Sequence, residues 1–591
     1  MSLLQQMGES TQHRGPDNIG FYMSGNGKVG LVHNRLSIID LSVAANQPMS
    51  DVSGKVHIVF NGEIYNFLRL RQELVQKGYS FKSSSDSEVL LYMYIEHGLD
   101  MLDKLNGMFA FAIYDERNEK LFLARDRVGI KPLYYSATDK GMVFGSELKP
   151  LIASGLLSGS LDPVAVNAFF TLGYIPFSMT IFDNCSKLMP GHYLYYDLKA
   201  NSYETARYWQ LPNVDDKEYR EDELLEKLEY LLNDAVAMRM VSDVPIGCFL
   251  SGGVDSSLCS VLMAGNSSVP VKTFNIGFTE DKYNESAYAK IVADSIGSEH
   301  FEHTVKLDAI EALNHLVNNF DEPFADSSMI PTFFVSKVAK EHVTVVLSGD
   351  GGDELFGGYN WYSWMLSLNH AQNKFPPVNT PIRVFSQIAP FNFKGRNFLS
   401  QLGLSPVSQF INRIGFFKPN ELSITSDPVF LDKFEAKLDS FEGDLLQKIS
   451  RMDFNCYLPD DILTKVDRAS MAVSLEARVP WLDHRLVEFA FSLPSTWKIR
   501  QSRKKYLPKR LAEKLLPRQL LLERKQGFSI PLASWMRGEL GDWLAGLADQ
   551  AEPYIDTGSV KKLLVELRAG KADHGSKLYS ILMFALWKKN F

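Results

Sequence analysis

The sequence predicts two domains in series, an α+β domain with stacked sheets followed by an α/β domain built on a parallel sheet. Three observations carry that expectation. The chain has 591 residues, too many for one hydrophobic core. Residues from about 20 to 200 mix short strand patterns with two helical ones. From about residue 223 the rhythm changes to strand, helix, strand, helix.

In the first third, strand patterns occupy Lys55–Asn61, Met108–Asp115, Lys120–Arg125 and Met142–Ser146, and helical spacing covers Phe67–Lys77 and Ser87–His97. The polar stretch Leu211–Asp222 reads as a linker. Beyond it Leu224, Leu228, Leu231 and Leu232 recur at helical spacing within Glu223–Met240. Strands at Pro245–Leu250, Val271–Phe278, Phe301–Val305 and Val343–Leu347 then alternate with helices over 255–264 and 285–296. That is the pattern of a parallel sheet covered on both faces. Past residue 360 the chain reads as helical and loop-rich, with Pro376-Pro377 marking a break.

Composition narrows the class. The net charge is −8, and no basic run is longer than Arg503-Lys504-Lys505, so nucleic acid and acidic membranes are not expected partners. Without a charged-then-apolar leader or a long apolar run, the expected location is the cytoplasm. The four cysteines, at 185, 248, 259 and 456, form no CxxC pair and are expected to be buried free thiols.

The strongest chemical signal is Ser251-Gly252-Gly253-Val254-Asp255-Ser256-Ser257, which follows an apolar strand and opens a helical pattern. Two glycines let the backbone approach an anion, and the helix N-terminus and the hydroxyls of Ser251, Ser256 and Ser257 favour phosphate. Asp255 would repel a bare phosphate but suits Mg²⁺ riding on it. A second loop follows another strand, Ser348-Gly349-Asp350-Gly351-Gly352-Asp353-Glu354. In an open parallel sheet both loops lie at the carboxyl ends of strands, where ligands bind. A plain glycine turn explains either loop alone, but not the pair.

Here the sequence resembles a known family. SGGVDSS is similar to the ATP-pyrophosphatase loop. The second loop, continued as Leu355-Phe356-Gly357-Gly358-Tyr359, resembles the synthetase half of class B, glutamine-hydrolysing asparagine synthetases, as do Lys465-Val466-Asp467-Arg468 and Leu475-Glu476-Ala477-Arg478-Val479-Pro480. His13-Arg14-Gly15-Pro16-Asp17, Phe60-Asn61-Gly62-Glu63 and Ala124-Arg125-Asp126-Arg127 resemble the glutaminase half of the same enzymes. The resemblance implies an N-terminal-nucleophile-type αββα glutamine amidotransferase domain over residues 1–205 and an ATP-pyrophosphatase-type synthetase domain over 206–591. It implies ATP and Mg²⁺, with Asp255 and Asp353 on the metal, Leu250 and Ile276 flanking adenine, and Ser348 and Gly349 contacting the nucleotide. Lys465 and Arg468 are the candidates for stabilising phosphate charge, a surface basic pair being the alternative. Asp350 stands where the asparagine-forming pattern has Glu. A carboxylate there suits a proton acceptor for attacking ammonia, and one methylene less shifts its reach by about an ångström.

The glutamine pocket is expected from Arg35 on the α-carboxylate, Asp86 on the α-ammonium, Glu63 in positioning, and Asn61 and Gly62 as oxyanion donors. The bland alternatives are a surface ion pair for Arg35, a helix N-cap for Asp86 and a hairpin turn for Asn61-Gly62. Such a glutaminase attacks with a cysteine that is its first residue after Met, whereas Met1 is followed by Ser2 and no cysteine precedes Cys185. Leu3–Ser10 reads as the tail of a helix. The nucleophile segment is therefore expected to be missing, by truncation in preference to natural loss, and the chain as written is expected to use free ammonia. The expected reaction is amidation of a carboxylate through its adenylate, aspartate leading over a sugar uronate or a β-lactam precursor, with glutamine or ammonia as nitrogen donor. A homodimer is the possible assembly.

Overall fold

The computed structural model describes residues 1–157, 159–215, 217–278, 285–305, 309–374, 381–382, 384, 396–418, 421, 429–517, 520 and 530–591. The expected break at Pro376-Pro377 lies outside them.

Residue alternation builds the first domain. Six strands form an antiparallel sheet: β3 (Met49–Ser50), β4 (Val56–Ile64), β5 (Gly107–Asp115), β6 (Lys120–Arg125), β10 (His192–Asp197) and β11 (Ser202–Arg207). Their order is β11-β10-β6-β5-β4-β3. On β4 and β5, Ile58, Phe60, Phe109, Phe111 and Ile113 point toward Leu70, Leu74 and Val89 of the helices Phe67–Gln76 and Asp86–His97. The residues between them, Val59, Ala110, Ala112 and Tyr114, pack with Leu31, Leu133 and Leu188 on the other face. With successive side chains on opposite faces, strands buried on both sides become nearly continuous apolar runs.

The second sheet layer is split between β1 (Asn18–Met23) with β2 (Gly30–Arg35), and β7 (Tyr134–Thr138) with β8 (Gly141–Gly145) and β9 (Ser186–Lys187). Helices Ser2–Glu9 and Leu148–Ala153 cover it through Leu4, Met7, Leu148 and Leu151. The result is the αββα stack.

The second domain carries a parallel sheet of β12 (Ile246–Phe249), β13 (Lys272–Phe278), β14 (Glu299–Val305), β15 (Val345–Leu347) and β16 (Glu476–Arg478), in the order β14-β13-β12-β15-β16. Leu228, Leu232, Leu258 and Val292 of the helices Glu221–Arg239, Val254–Gly265 and Ser286–Ile296 cover one face. Leu313, Ile330 and Val335 of Ala309–Val317 and Met329–Lys340 cover the other. Strand order reverses between β12 and β15, and that junction is where a doubly wound sheet opens a binding crevice.

The halves share one core. Helix Pro163–Leu172, from the first half, sets Phe169 and Phe170 against Phe584 of the last helix, Gly575–Asn590, with ring centroids 6.1 and 5.0 Å away. The linker is strapped down, with Trp209 Nε1 donating to Glu488 at 2.8 Å and Asp215 N to Ser492 O at 2.9 Å. Among the described residues no helix is long and apolar enough to cross a membrane, and all four cysteines are free and buried.

Candidate active sites at the two sheets

The larger cleft, about 510 Å³, opens at the switch point between β12 and β15. Its size lies in the range of small-molecule sites. The loop after β12 is set by its own hydroxyls: Ser251 Oγ and Ser256 Oγ lie 3.0 Å apart, and Gly253 N donates to Ser251 Oγ at 3.3 Å. The loop after β15 presses against it. A Cβ on Gly349 would stand 2.6 Å from Ser256 N, and one on Gly352 would stand 2.5 Å from Asp255 Cγ. Only glycine permits that approach, and the approach sets the two acidic loops edge to edge.

Asp255 and Asp353 converge on one cation, the ammonium of Lys505. It bonds Asp255 Oδ2 and lies 2.8 Å from Asp353 Oδ1. Burial alone would lower the Lys505 pKa, but the two aspartates outweigh it and raise it. Lys505 adopts a left-handed backbone, φ 51°, and enters the cleft with Lys504 and Lys509. Among the described residues no three His, Cys, Asp or Glu side chains gather as a metal cage. Two carboxylates that already hold a positive charge fit a hard divalent ion that takes its other ligands from phosphate oxygens.

Across the cleft, Lys465 Nζ donates to Asp326 Oδ2 at 2.9 Å. Burial opposes its charge, yet Asp326, Asp461 and Asp350 raise its pKa. Burial also pushes Asp326 up, and Lys465 and Ser328 more than reverse that. Asp350 accepts from Ser348 Oγ. Leu250, Ser251, Gly252, Gly253, Asp255 and Ser256 line the cleft, as do Ser348, Gly349, Asp350, Asp353 and Lys465.

Three expectations for this cleft are corrected. Arg468 does not reach it. Its guanidinium is held 2.6 Å from Glu147 and 3.4 Å from Asp321, and donates to Ser146 O at 3.2 Å, because the helix Leu463–Met471 turns that face toward the first domain. Ile276 packs in the core with Phe274, Leu313 and Ile330 and is not among the residues that line the cleft. Ser257 is wholly buried on the inward face of its helix and does not line the cleft. Lys505, conversely, carried no sequence signal beyond a short basic run.

The smaller cleft, about 180 Å³, lies on the first domain beside β4. Asn61 and Gly62 sit inside that strand, not in a hairpin turn. Asn61 Nδ2 donates to Ser146 Oγ at 3.1 Å. Gly62 has φ +145°, and a Cβ there would lie 2.0 Å from Met108 O, so glycine alone lets β4 and β5 meet. Asp86 opens its helix, but the N-cap is Ser85, which accepts from Ser87 N. Asp86 itself accepts from Ile64 N at 2.9 Å, and burial lifts its carboxyl to about 6.

Arg35, Asn61, Gly62, Glu63 and Asp86, the five residues expected for the glutamine pocket, all line this cleft. Arg35 is buried, and its Nη1 donates to Ser42 O and Asn46 Oδ1, both at 2.8 Å, while Nη2 bonds Asp40 O and Ile39 O. These bonds fix the guanidinium against the 39–46 loop, at the wall of the cleft. Glu63 meets Arg478 of the second domain through Oε1 at 3.0 Å, while its buried Oε2 has no hydrogen-bond partner. Gln47, unforeseen in the sequence, closes the cleft by accepting from Phe60 N at 2.6 Å and donating to Ser87 Oγ at 3.2 Å. No cysteine lines this cleft among the described residues.

Between the clefts runs a buried ion lattice. Arg14 joins Glu147 and Asp467 at 3.1 and 2.8 Å, Lys131 lies 3.5 Å from Glu476, and Arg239 joins Asp483 at 3.1 Å. Burial would raise the pKa of Glu147, but Arg468, His13 and Lys149 hold it well below the usual carboxylate range.

Comparison with known proteins agrees with this architecture. The asparagine synthase family matches residues 227–589, and the glutamine amidotransferase domain family matches 1–209, so the amidotransferase domain is present. Asparagine synthetase [glutamine-hydrolyzing] 1 of Bacillus subtilis is 34% identical over 99% of this chain and 93% of its own. A putative glutamine-hydrolysing asparagine synthetase of Mycobacterium bovis is 34% identical over 98% of this chain and 92% of its own. Amidase chry2 of Gibberella zeae is 30% identical over 91% and 86% respectively.

Proposed function

The chain belongs to the glutamine-hydrolysing asparagine synthetase family, and on that premise we propose that it uses ATP to convert aspartate to asparagine. The observation that carries the reading is the convergence of Asp255 and Asp353 on one cation at the switch point of the parallel sheet.

The side-chain carboxylate of aspartate attacks the α-phosphorus, the bond to the β-phosphate breaks, and pyrophosphate leaves. Ammonia then attacks the acyl carbon, its proton passes to Asp350, and AMP departs. The Ser251–Ser256 loop holds the phosphates. Lys505, with Lys504 and Lys509, neutralises the leaving pyrophosphate in a partly enclosed site where fixed cations act strongly. Asp255 and Asp353 would hold Mg²⁺, which would supply charge neutralisation to the triphosphate. Lys465, beside Asp350 and Asp326, orients the substrate carboxylate.

In the smaller cleft Asp86 takes the α-ammonium of glutamine, and Asn61 with Gly62 N would stabilise the oxyanion that a nucleophile attacking the side-chain amide creates. Arg35, at the wall of the same cleft, is the candidate for the α-carboxylate.

ATP–pyrophosphate exchange across candidate carboxylates tests this reading. Exchange is expected with aspartate, and exchange supported by a uronate but not by aspartate overturns the substrate. Isotope-labelled ammonium is expected in the amide product, and a parallel run with amide-labelled glutamine measures what the smaller cleft delivers.

A further inference from the structure

A third cavity, of about 470 Å³, lies where the two halves meet and shares no lining residue with either cleft. Its wall carries five basic side chains, Arg127, His192, Arg207, Lys437 and Arg451, against a single acid, Glu442. They come from both halves. His192 and Arg207 face each other across β10 and β11. Lys437 lies in the last turn of the helix Val429–Asp439, and Arg451 on the helix Leu445–Asn455. Arg451 donates to Pro212 O, and Asn213 Nδ2 to Glu442 Oε2 at 3.4 Å. Among the described residues no carboxylate pairs with Arg207, Lys437 or Arg451 within ion-pair distance.

The positive charges press on one another. Burial and then Arg207 push the Lys437 ammonium down. Burial also lowers His192, and Arg207 and Lys437 add to that. Arg451 is lowered by burial, with Glu442 alone opposing. The buried Nε of Arg127 has no hydrogen-bond partner. Like charges gathered in a partly buried pocket repel one another, and an anion that joins them relieves the repulsion. Trp209, Phe441 and Phe454 add an apolar wall, so the space suits a small organic ion better than a bare counterion.

We propose that this cavity binds a small multivalent oxyanion, a phosphate ester or a polycarboxylate, which ties His192 and Arg207 of the first half to Lys437 and Arg451 of the second. Guanidinium and ammonium groups recognise both oxyanions by charge-assisted hydrogen bonds.

Isothermal titration of the full chain with citrate, and separately with inorganic phosphate, tests it. At least one probe is expected to bind, more weakly as salt is raised. Arg207→Ala with Lys437→Ala is expected to cost about tenfold or more in Kd, and Arg207→Lys with Lys437→Arg to restore most of it. Arg207 is exposed and Lys437 half-buried, so neither is a core residue. ATP binding measured on the same variants reports an intact fold. Tighter citrate binding selects the polycarboxylate, and tighter phosphate binding the phosphate ester. Absence of binding by both probes, or wild-type affinity in the double alanine variant, overturns the proposal.

Discussion

At the scale of single residues, Lys505 joins two aspartates that lie far away in sequence, Asp255 being 250 positions earlier. Lys505→Met keeps the stem and removes the charge, and ATP–pyrophosphate exchange is expected to fall by about 10²-fold. A second lysine gives a stability test. Lys498 is buried over Phe491, its ammonium 4.3 Å from the ring centroid, and burial pushes its pKa down to about 7, with Arg451 adding to the fall. The lowered folded pKa means stability is lost as pH falls from 10.5 toward 7. Lys498→Met is therefore expected to raise Tm at neutral pH, with the gain shrinking toward pH 10.5; at about 1.4 kcal/mol per pKa unit the effect is a few kcal/mol. Asp86 sets a third. With its carboxyl near 6, glutamine binding by calorimetry is expected to weaken below pH 6, toward tenfold per unit. Asp255 and Asp353 were legible because glycine loops advertise them. Lys505 was not, since a short basic run has the look of a solvated surface and only tertiary contacts distinguish it.

Whole elements were easier to read where a residue period repeats. β4, β5, the helix Phe67–Gln76 and four of the five parallel strands follow from apolar spacing, with ends within a few positions. β16 did not. Its three residues, Glu476–Arg478, include two charges that are buried and paired with each other at 2.9 Å, and no periodicity fits into three positions. The hairpin alternative for Asn61-Gly62 falls for a related reason. The dipeptide is a strong local turn signal, but here the glycine serves close approach within a ladder. Gly62→Ala is expected to destabilise the first domain by about 2 kcal/mol or more, from φ +145° and the contact with Met108 O. Thermal denaturation and loss of strand signal in circular dichroism measure it.

For the whole molecule, the joint between halves is the part that sequence did not display. Arg14 and Arg468 look like members of local motifs, yet both meet Glu147 from opposite ends of the chain. Glu147→Gln leaves those guanidiniums buried with too little negative charge and is expected to cost about 3–5 kcal/mol, read by chemical denaturation. The helix Pro163–Leu172 belongs to the first half by order and to the second by packing, since Phe169 and Phe170 lean on Phe584. Protease nicking of the polar strap ahead of Glu221 should therefore yield two fragments that copurify. Evolution, or an engineer, could not deal these two chemistries onto separate polypeptides by cutting at that visible seam, because the seam in the chain is not the seam in the oil.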